Sequence, residues 1–329
     1  LGMSLKIMGE WLLFDYGITP CDPPKYPFLP SGVDHAFVTH CHADHSAMMP
    51  LITSRGDITI YGTKITRRLS ELICEDSLKV CEIEEYPMPY KYSDVPTFSQ
   101  SFLDQKMGTT VPVGNLEVKL HPAGHVPGAT MFEMIADGKS MLFTGDINTV
   151  DTRLVNGANP VKCDILVLEG TYSGRTHPSR TELEKTFIDS VEEVVESGGK
   201  FILPSFGIGR TQEVMLMLAD LPYEIWVDGM GNTASRIFLE HRDSLADHER
   251  LSKAVKRFWR VRNHYDRQRC HEADIIITTS GMMNGGPVLH YVEKFMHDKR
   301  SGIFLTGYQV EGTNGRRLLN DCLLYTSDA

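Results

Sequence analysis

Residues 40–45 read His-Cys-His-Ala-Asp-His, the end of THCHADH (39–45), and the reading of the whole chain turns on them. Three imidazoles and one carboxylate fall within six residues, directly after VDHAFVT (33–39), which reads as a strand. In an extended segment His40 and His42 point to the same side, and Asp44 and His45 can turn toward a second position nearby. Imidazole and carboxylate suit zinc and leave a position open for water. A histidine-rich surface loop is the plain alternative, set aside because more distant residues complete a ligand set.

His125 lies in HPAGHVPGA (121–129), where Gly124 and Gly128 allow a tight loop to bring an imidazole inward. His121, in the same loop, is expected to have a structural role. Asp146 ends LFTGD (142–146) and is expected to bridge two ions, because neighbouring cations need a shared anion. Asp15 ends the apolar run WLLFD (11–15). A buried carboxylate must be paired, so Asp15 is read as the acid that orients the loop carrying His40 and His42, with a turn cap as the alternative. Cys41, between two ligands, should point to the opposite face and be buried. The expected ligands of a two-zinc site are thus His40, His42, Asp44, His45, His125 and Asp146. Two such ions suit hydrolysis of a phosphodiester, ester or amide, and the ligands alone do not choose among them.

Around this motif the pattern is α/β. Apolar runs at 58–61, 116–120 and 165–170 read as strands, the last as a covered one, and 131–146 as a hairpin turning at Asp137-Gly138. Residues 63–78 have helical spacing. Beyond Thr171, helical segments at 181–196, 211–220 and 287–297 alternate with strands at 201–206, 224–228, 273–280 and 302–308, which indicates a mainly parallel sheet. The chain of 329 residues, 41% of them hydrophobic, is long enough for two domains, divided near 175. No apolar run is long enough to span a membrane, and seven scattered cysteines without a CxxC pair fit a reducing, cytoplasmic setting. The net charge of −10 argues against nucleic acid when taken alone, although bound metal inverts the local sign.

FDYG (14–17), THCHADH, AGHVPGA (123–129) and TGD (144–146) resemble the first four motifs of the metallo-β-lactamase fold. LVLEGTY (166–172) resembles the start of a β-CASP insertion, and SFGIGRTQE (205–213), TSGMMNGGP (279–287) and TGYQVEGTNGR (306–316) are similar to its later landmarks. The resemblance covers residues 1–321 and is closest to archaeal-type β-CASP ribonucleases, relatives of RNase J and of the eukaryotic cleavage-and-polyadenylation endonuclease. It implies an incomplete αββα metallo-β-lactamase sandwich over 1–174 and an inserted α/β β-CASP domain over 175–321. The implied activity is cleavage of single-stranded RNA, endonucleolytic, 5′-to-3′ exonucleolytic or both. His40, His42 and His125 would hold one zinc, Asp44 and His45 the other, and Asp146 both. Glu169 would orient a later histidine near the leaving group. Asp15, Asp44, Asp146 and Glu169 form the expected catalytic set, and a homodimer is one assembly state left open.

Gly207, Gly209, Gly281, Gly285 and Gly286 can expose backbone N–H groups to phosphate, with Ser280 and Arg210 adding a hydroxyl and a fixed cation. Plain strand-to-helix turns are the alternative. The pattern departs from the family at its ends. The two histidines expected after the GYQ segment are absent, since no histidine follows His297, and the pattern starts one strand late. CLLYTSDA (322–329) resembles the translation of a transposon-end adapter, so a non-native tail on a truncated chain with a weakened second metal site is expected. A β-CASP DNA nuclease, a small-molecule metallo-hydrolase and a non-catalytic scaffold are the competing readings.

Overall fold

The computed structural model describes residues 2–21 and 23–321; the segment 322–329 lies outside the described residues. The chain divides into two compact units, Leu1–Thr171 with Asp243–Ala246, and Tyr172–Arg242 with Asp247–Ala329.

The first unit is built on two five-stranded sheets. One has β1 (Met3–Ile7), β2 (Glu10–Phe14), β3 (His35–Phe37), β4 (Thr59–Thr63) and β5 (Phe102–Gln105) in sequence order. The β1–β2 pair is antiparallel and the remaining pairs are parallel. The strand Met3–Ile7 lies before the first run read as a strand in the sequence; MSLKI alternates strictly between partly buried and exposed residues, a short period-2 signal. The second sheet runs β6 (Thr110–Val113), β7 (Leu116–Pro122), β8 (Thr130–Ala136), β9 (Lys139–Phe143) and β10 (Ile165–Val167). The expected hairpin is β8–β9, with Ala136 opposite Lys139 and both turn residues, Asp137 and Gly138, at positive φ (50° and 73°), as a two-residue primed turn requires.

Strand alternation explains the packing. Leu12, Phe14, Phe37 and Tyr61 of the first sheet meet Val118, Leu120, Phe132 and Met134 of the second in a buried core. Phe14 and Phe37 stack at 5.0 Å, and Phe37 meets Phe132 at 5.1 Å. Burying each such ring contributes roughly 1.5–3 kcal/mol. The other face of the first sheet, with Leu13, Ala36 and Ile60, packs on Met48, Met49, Cys74, Leu78 and Phe98. Met48 comes from the turn between α1 (Ala43–Ser46) and α2 (Met49–Thr53), Met49 from α2, Cys74 and Leu78 from α3 (Lys64–Ile83), and Phe98 from α4 (Asp94–Ser101). α3 runs past the expected end at 78, because Cys74, Leu78 and Cys81 keep one buried face. The outer face of the second sheet is covered by loop residues such as Ile147, Ala158 and Val161, so the sandwich has its helices on one side among the described residues.

One strand departs from expectation. The apolar run 165–170 was expected to be covered, yet β10 is the last strand of its sheet, and Ile165, Leu166 and Leu168 are each more than half exposed. Continuous apolar character marks a strand able to be covered; here the described sheet ends with it.

The second unit holds an all-parallel sheet, as strand–helix alternation implied. Its strands are β11 (Phe201–Pro204), β12 (Ile225–Asp228), β13 (Trp259–Arg260), β14 (Ile275–Thr278) and β15 (Gly302–Ile303), ordered β13-β12-β14-β11-β15. Connecting segments include α5 (Arg180–Glu196), α6 (Arg210–Leu218), α7 (Gly231–Leu239), α8 (His248–Arg257), α9 (His264–Arg269) and α10 (Val288–Phe295), with α11 (Asn314–Asp321) after β15. β15 is shorter than the expected 302–308. No helix among the described residues is long and apolar enough to cross a membrane.

Candidate metal centre

The parallel strands β2 and β3 end side by side and present their following loops together. Asp15 immediately follows β2 in a left-handed conformation (φ 55°), which costs a non-glycine residue about 1–3 kcal/mol and is held by the surroundings. Its amide donates to Phe37 O at 2.8 Å. Its carboxylate is buried and accepts from Thr39 N (2.7 Å), Thr39 Oγ1 (2.8 Å) and His45 Nδ1 (2.7 Å). Asp15 therefore grips the start of the histidine loop at Thr39 and one imidazole, that of His45, directly.

These bonds fix tautomers. The Thr39 hydroxyl gives its only proton to Asp15, so toward His40 Nδ1, 3.1 Å away, it must accept. His40 thus carries its proton on Nδ1 and offers a bare Nε2. His45 donates from Nδ1 to Asp15 and likewise directs Nε2 inward.

The inward atoms converge in two groups. His40 Nε2 lies 3.1 Å from His42 Nδ1, which lies 3.2 Å from His125 Nε2. Asp146 Oδ2 is 3.8 Å from His40 Nε2 and 3.7 Å from His125 Nε2. The other oxygen of the same carboxylate, Oδ1, lies 3.3 Å from His45 Nε2, and Asp44 Oδ2 lies 3.4 Å from that nitrogen. A tetrahedral ion with nitrogen ligands at about 2.0–2.1 Å holds its donors about 3.3–3.4 Å apart. The spacings of the first group bracket that value. His40 also falls within ligand range of His45 and Asp146, so geometry alone leaves it close to both groups.

The donor set fits divalent metal on two further counts. His45 Nε2 is buried and makes no well-aligned hydrogen bond among the described residues, facing instead the Asp44 and Asp146 carboxylates at 3.4 and 3.3 Å, a spacing that an ion between them would fill. Two imidazoles of the first group are uncharged: burial, reinforced by the neighbouring imidazoles, holds the pKa of His40 well below its ordinary value, and burial beside His42 lowers His125 to about 3. Their lone pairs are therefore available at neutral pH. The second group is polarised differently. Burial opposes charge on Asp44, yet His45 holds its carboxyl down at about 2; burial also opposes charge on His45, but Asp15, Asp146 and Asp44 outweigh it and raise its pKa.

Backbone clamps keep the ligands in place. Tyr16 N donates to His45 O (2.7 Å) and Ile18 N to Ala43 O (3.0 Å), pinning the ligand loop from either side of Gly17. A Cβ at Gly17 would fall 2.0 Å from the Asp44 carbonyl carbon, so only glycine permits this approach. Gly124 (φ 70°) lets the His125 loop pass Asn148, whose amide donates to Ala123 O at 2.9 Å. Thr39 and Asn148 are the supporting residues that sequence reasoning missed. The position of Thr39, one residue before the first ligand and across from Asp15, was the available signal for the first; nothing marked the second.

Other expected residues lie as follows. His121 bonds Glu133 at 2.8 Å across the β7–β8 pair. Cys41 is buried, and burial pushes its thiol up to about 12. Glu169 accepts from Thr171 N at 2.7 Å. In the second unit, Ser280 and Gly281 follow β14, and Arg210 opens α6 after the neighbouring β11, so both loops leave the carboxyl ends of adjacent parallel strands. Arg210 lines a pocket with Arg180, Phe187, Phe304 and Thr306, whereas Ser280 Oγ donates to Gly285 O at 3.1 Å. Gly209 (φ 86°) caps α6, its amide donating to Gln212 Oε1 at 2.8 Å.

Residues 10–196 match the beta-lactamase superfamily domain and residues 211–318 the Beta-Casp domain. Relatives include a probable RNase MJ4 of Methanocaldococcus jannaschii, 32% identical over 96% of this chain and 78% of its own length. The RNase aCSPSF2 of Saccharolobus solfataricus is 34% identical over 94% of this chain and 64% of its own. The transcription termination factor FttA of Methanococcus maripaludis is 32% identical over 90% of this chain, which spans half that protein's length. On the ligand cluster, the two matched domains and these relatives, the chain belongs to the metallo-β-lactamase superfamily and, within it, to the β-CASP family.

Proposed function

We propose that the chain is a zinc-dependent ribonuclease that hydrolyses phosphodiester bonds of single-stranded RNA, in the cytoplasm, with two ions at the ligand cluster. The observation that carries the reading is the Asp146 carboxylate, which turns one oxygen to the His40–His125 group and the other to His45. His40, His42, His125 and Asp146 would hold one ion, and Asp44, His45 and Asp146 the second. Bound there, such ions supply an activated water and stabilise negative charge developing on the phosphate. The chain's own contribution is orientation: Thr39 keeps His40 in the tautomer that leaves Nε2 bare, and Asp15 holds His45 by Nδ1 so that Nε2 faces inward. Glu169 is assigned to orienting a group at the leaving oxygen, and Arg210, Ser280 and Gly281 to contacting phosphates. The names of the relatives support RNA as substrate, since two are RNases.

The test is a panel of labelled single-stranded RNA, single-stranded DNA, a β-lactam and a thioester, each given to the metal-loaded chain. RNA is expected to be cut, with the other three turned over at least about 10²-fold more slowly, the discrimination expected of sites built around a particular substrate. Turnover of the lactam or thioester with intact RNA would overturn the proposal, and DNA cut faster than RNA would move it to the DNA nucleases.

A further inference from the structure

We infer that the face formed by Trp259, Tyr265 and Arg269 of the second unit is an auxiliary binding surface for single-stranded RNA, engaging nucleotides other than those at the metal ligands. The inference rests on the ribonuclease reading for the identity of the polymer. It begins from a local reversal of charge. The chain carries a net −10, yet residues 253–269, KAVKRFWRVRNHYDRQR, contain seven Lys and Arg and one acid, Asp266.

Two of the seven cations are committed to structure. Arg267 forms a two-pronged bond to buried Asp228 (2.7 and 3.0 Å), and Arg257 donates to the carbonyls of Ala219, Leu221 and Tyr223. The side chains of Lys253, Lys256, Arg260, Arg262 and Arg269 have no acidic partner among the described residues. Asp266 is turned to the backbone, accepting from Arg262 N at 3.0 Å.

Aromatic rings stand among these free cations. Trp259 lies on β13, an edge strand, stacked at 5.7 Å on the buried Trp226 while remaining 53% exposed itself. Arg269 lies 5.7 Å from the centre of each indole. Tyr265 is 77% exposed and sits four residues before Arg269 on α9, so the two share one side of that helix. An exposed tyrosine and tryptophan gain nothing for folding from contact with water. A ring of each kind beside unpaired arginines is what an unpaired nucleic-acid strand engages, with bases stacking on the rings and phosphates meeting the cations. A protein partner would have to supply a matching acidic surface with slots for the rings, and nothing here selects one.

The test measures binding of a fluorescein-labelled 30-nucleotide RNA and of a 6-nucleotide RNA by anisotropy, in chelator so that turnover does not interfere. Tyr265→Ala is expected to weaken the longer RNA about 5- to 100-fold, the usual effect of losing one stacked base, and Tyr265→Phe to restore it. Arg262→Ala is expected to lower the slope of log K against log salt by about 0.7, one phosphate contact on a single strand. Both residues are exposed, so folding should persist, and circular dichroism checks this. The 6-nucleotide RNA, with fewer bases and phosphates to engage, should bind more weakly and lose less affinity in the variants. Wild-type affinity and salt slope in Tyr265→Ala and Arg262→Ala would overturn the inference, as would a change of oligomeric state in these variants without loss of RNA affinity. Failure of the unaltered chain to bind either RNA would instead overturn the ribonuclease reading.

Discussion

Replacing Asp146 with alanine is expected to lower RNA cleavage by at least about 10²-fold, beyond the usual range for a residue that only supports a ligand. The reason is its double placement, with Oδ2 on the His40–His125 side and Oδ1 on the His45 side. Losing it removes one donor from each group and, on the two-ion reading, the anion that would offset repulsion between the ions. Because the carboxylate is not part of the core, melting of the metal-free protein should change little. Cleavage rates of the variant and the unaltered chain, measured at saturating metal, decide the matter. An unchanged rate would mean that Asp146 does not join the two groups.

The second large effect is expected from Asp15→Asn. The carboxylate accepts three hydrogen bonds, from Thr39 N, Thr39 Oγ1 and His45 Nδ1. An amide has one acceptor oxygen and a donor group that must face one of these donors. Either His45 flips its tautomer or the Thr39 hydroxyl turns away, and His40 then loses the acceptor for Nδ1–H. Metal affinity is expected to drop about 10- to 100-fold, the cost typical of removing a group that fixes a ligating histidine. Competition against a chromophoric chelator measures it. The conservative Asp15→Glu should recover little, because the left-handed backbone and close packing leave no room for a longer arm. Wild-type affinity in Asp15→Asn would show that the bond network orients nothing.

Much of the site was legible because its determinants are local. Three histidines and an aspartate in six residues after a strand announce a metal loop whatever follows. Likewise, the apolar runs on either side of the Asp137-Gly138 turn specify the hairpin that delivers Asp146. What stayed hidden depends on tertiary contact. Thr39 is a common strand residue until Asp15 folds across from it, and Asn148 is a polar loop residue until Gly124 passes beneath. Asp15 was read as serving the loop of His40 and His42; the fold adds His45, thirty residues away, which no spacing rule connects to it. The apolar run at 165–170 reads the same in a central or an edge strand, so its exposure could not be anticipated. In the second unit the strand–helix alternation sufficed for a parallel sheet, but the basic stretch 253–269 was masked by the overall negative charge. Net charge averages over surfaces that a ligand meets one at a time.

The most direct test of a two-ion ribonuclease is metal content read together with activity. The chain should be stripped with chelator, titrated with zinc under calorimetry, and assayed on labelled single-stranded RNA at each step. Two equivalents are expected, the first held more tightly because three imidazoles and a carboxylate surround it, whereas the second shares Asp146 and has a single imidazole. Cleavage should be absent in the stripped protein and appear with the second equivalent. Cleavage that persists at full rate in the stripped chain, or a chain that takes up no zinc, would contradict the account.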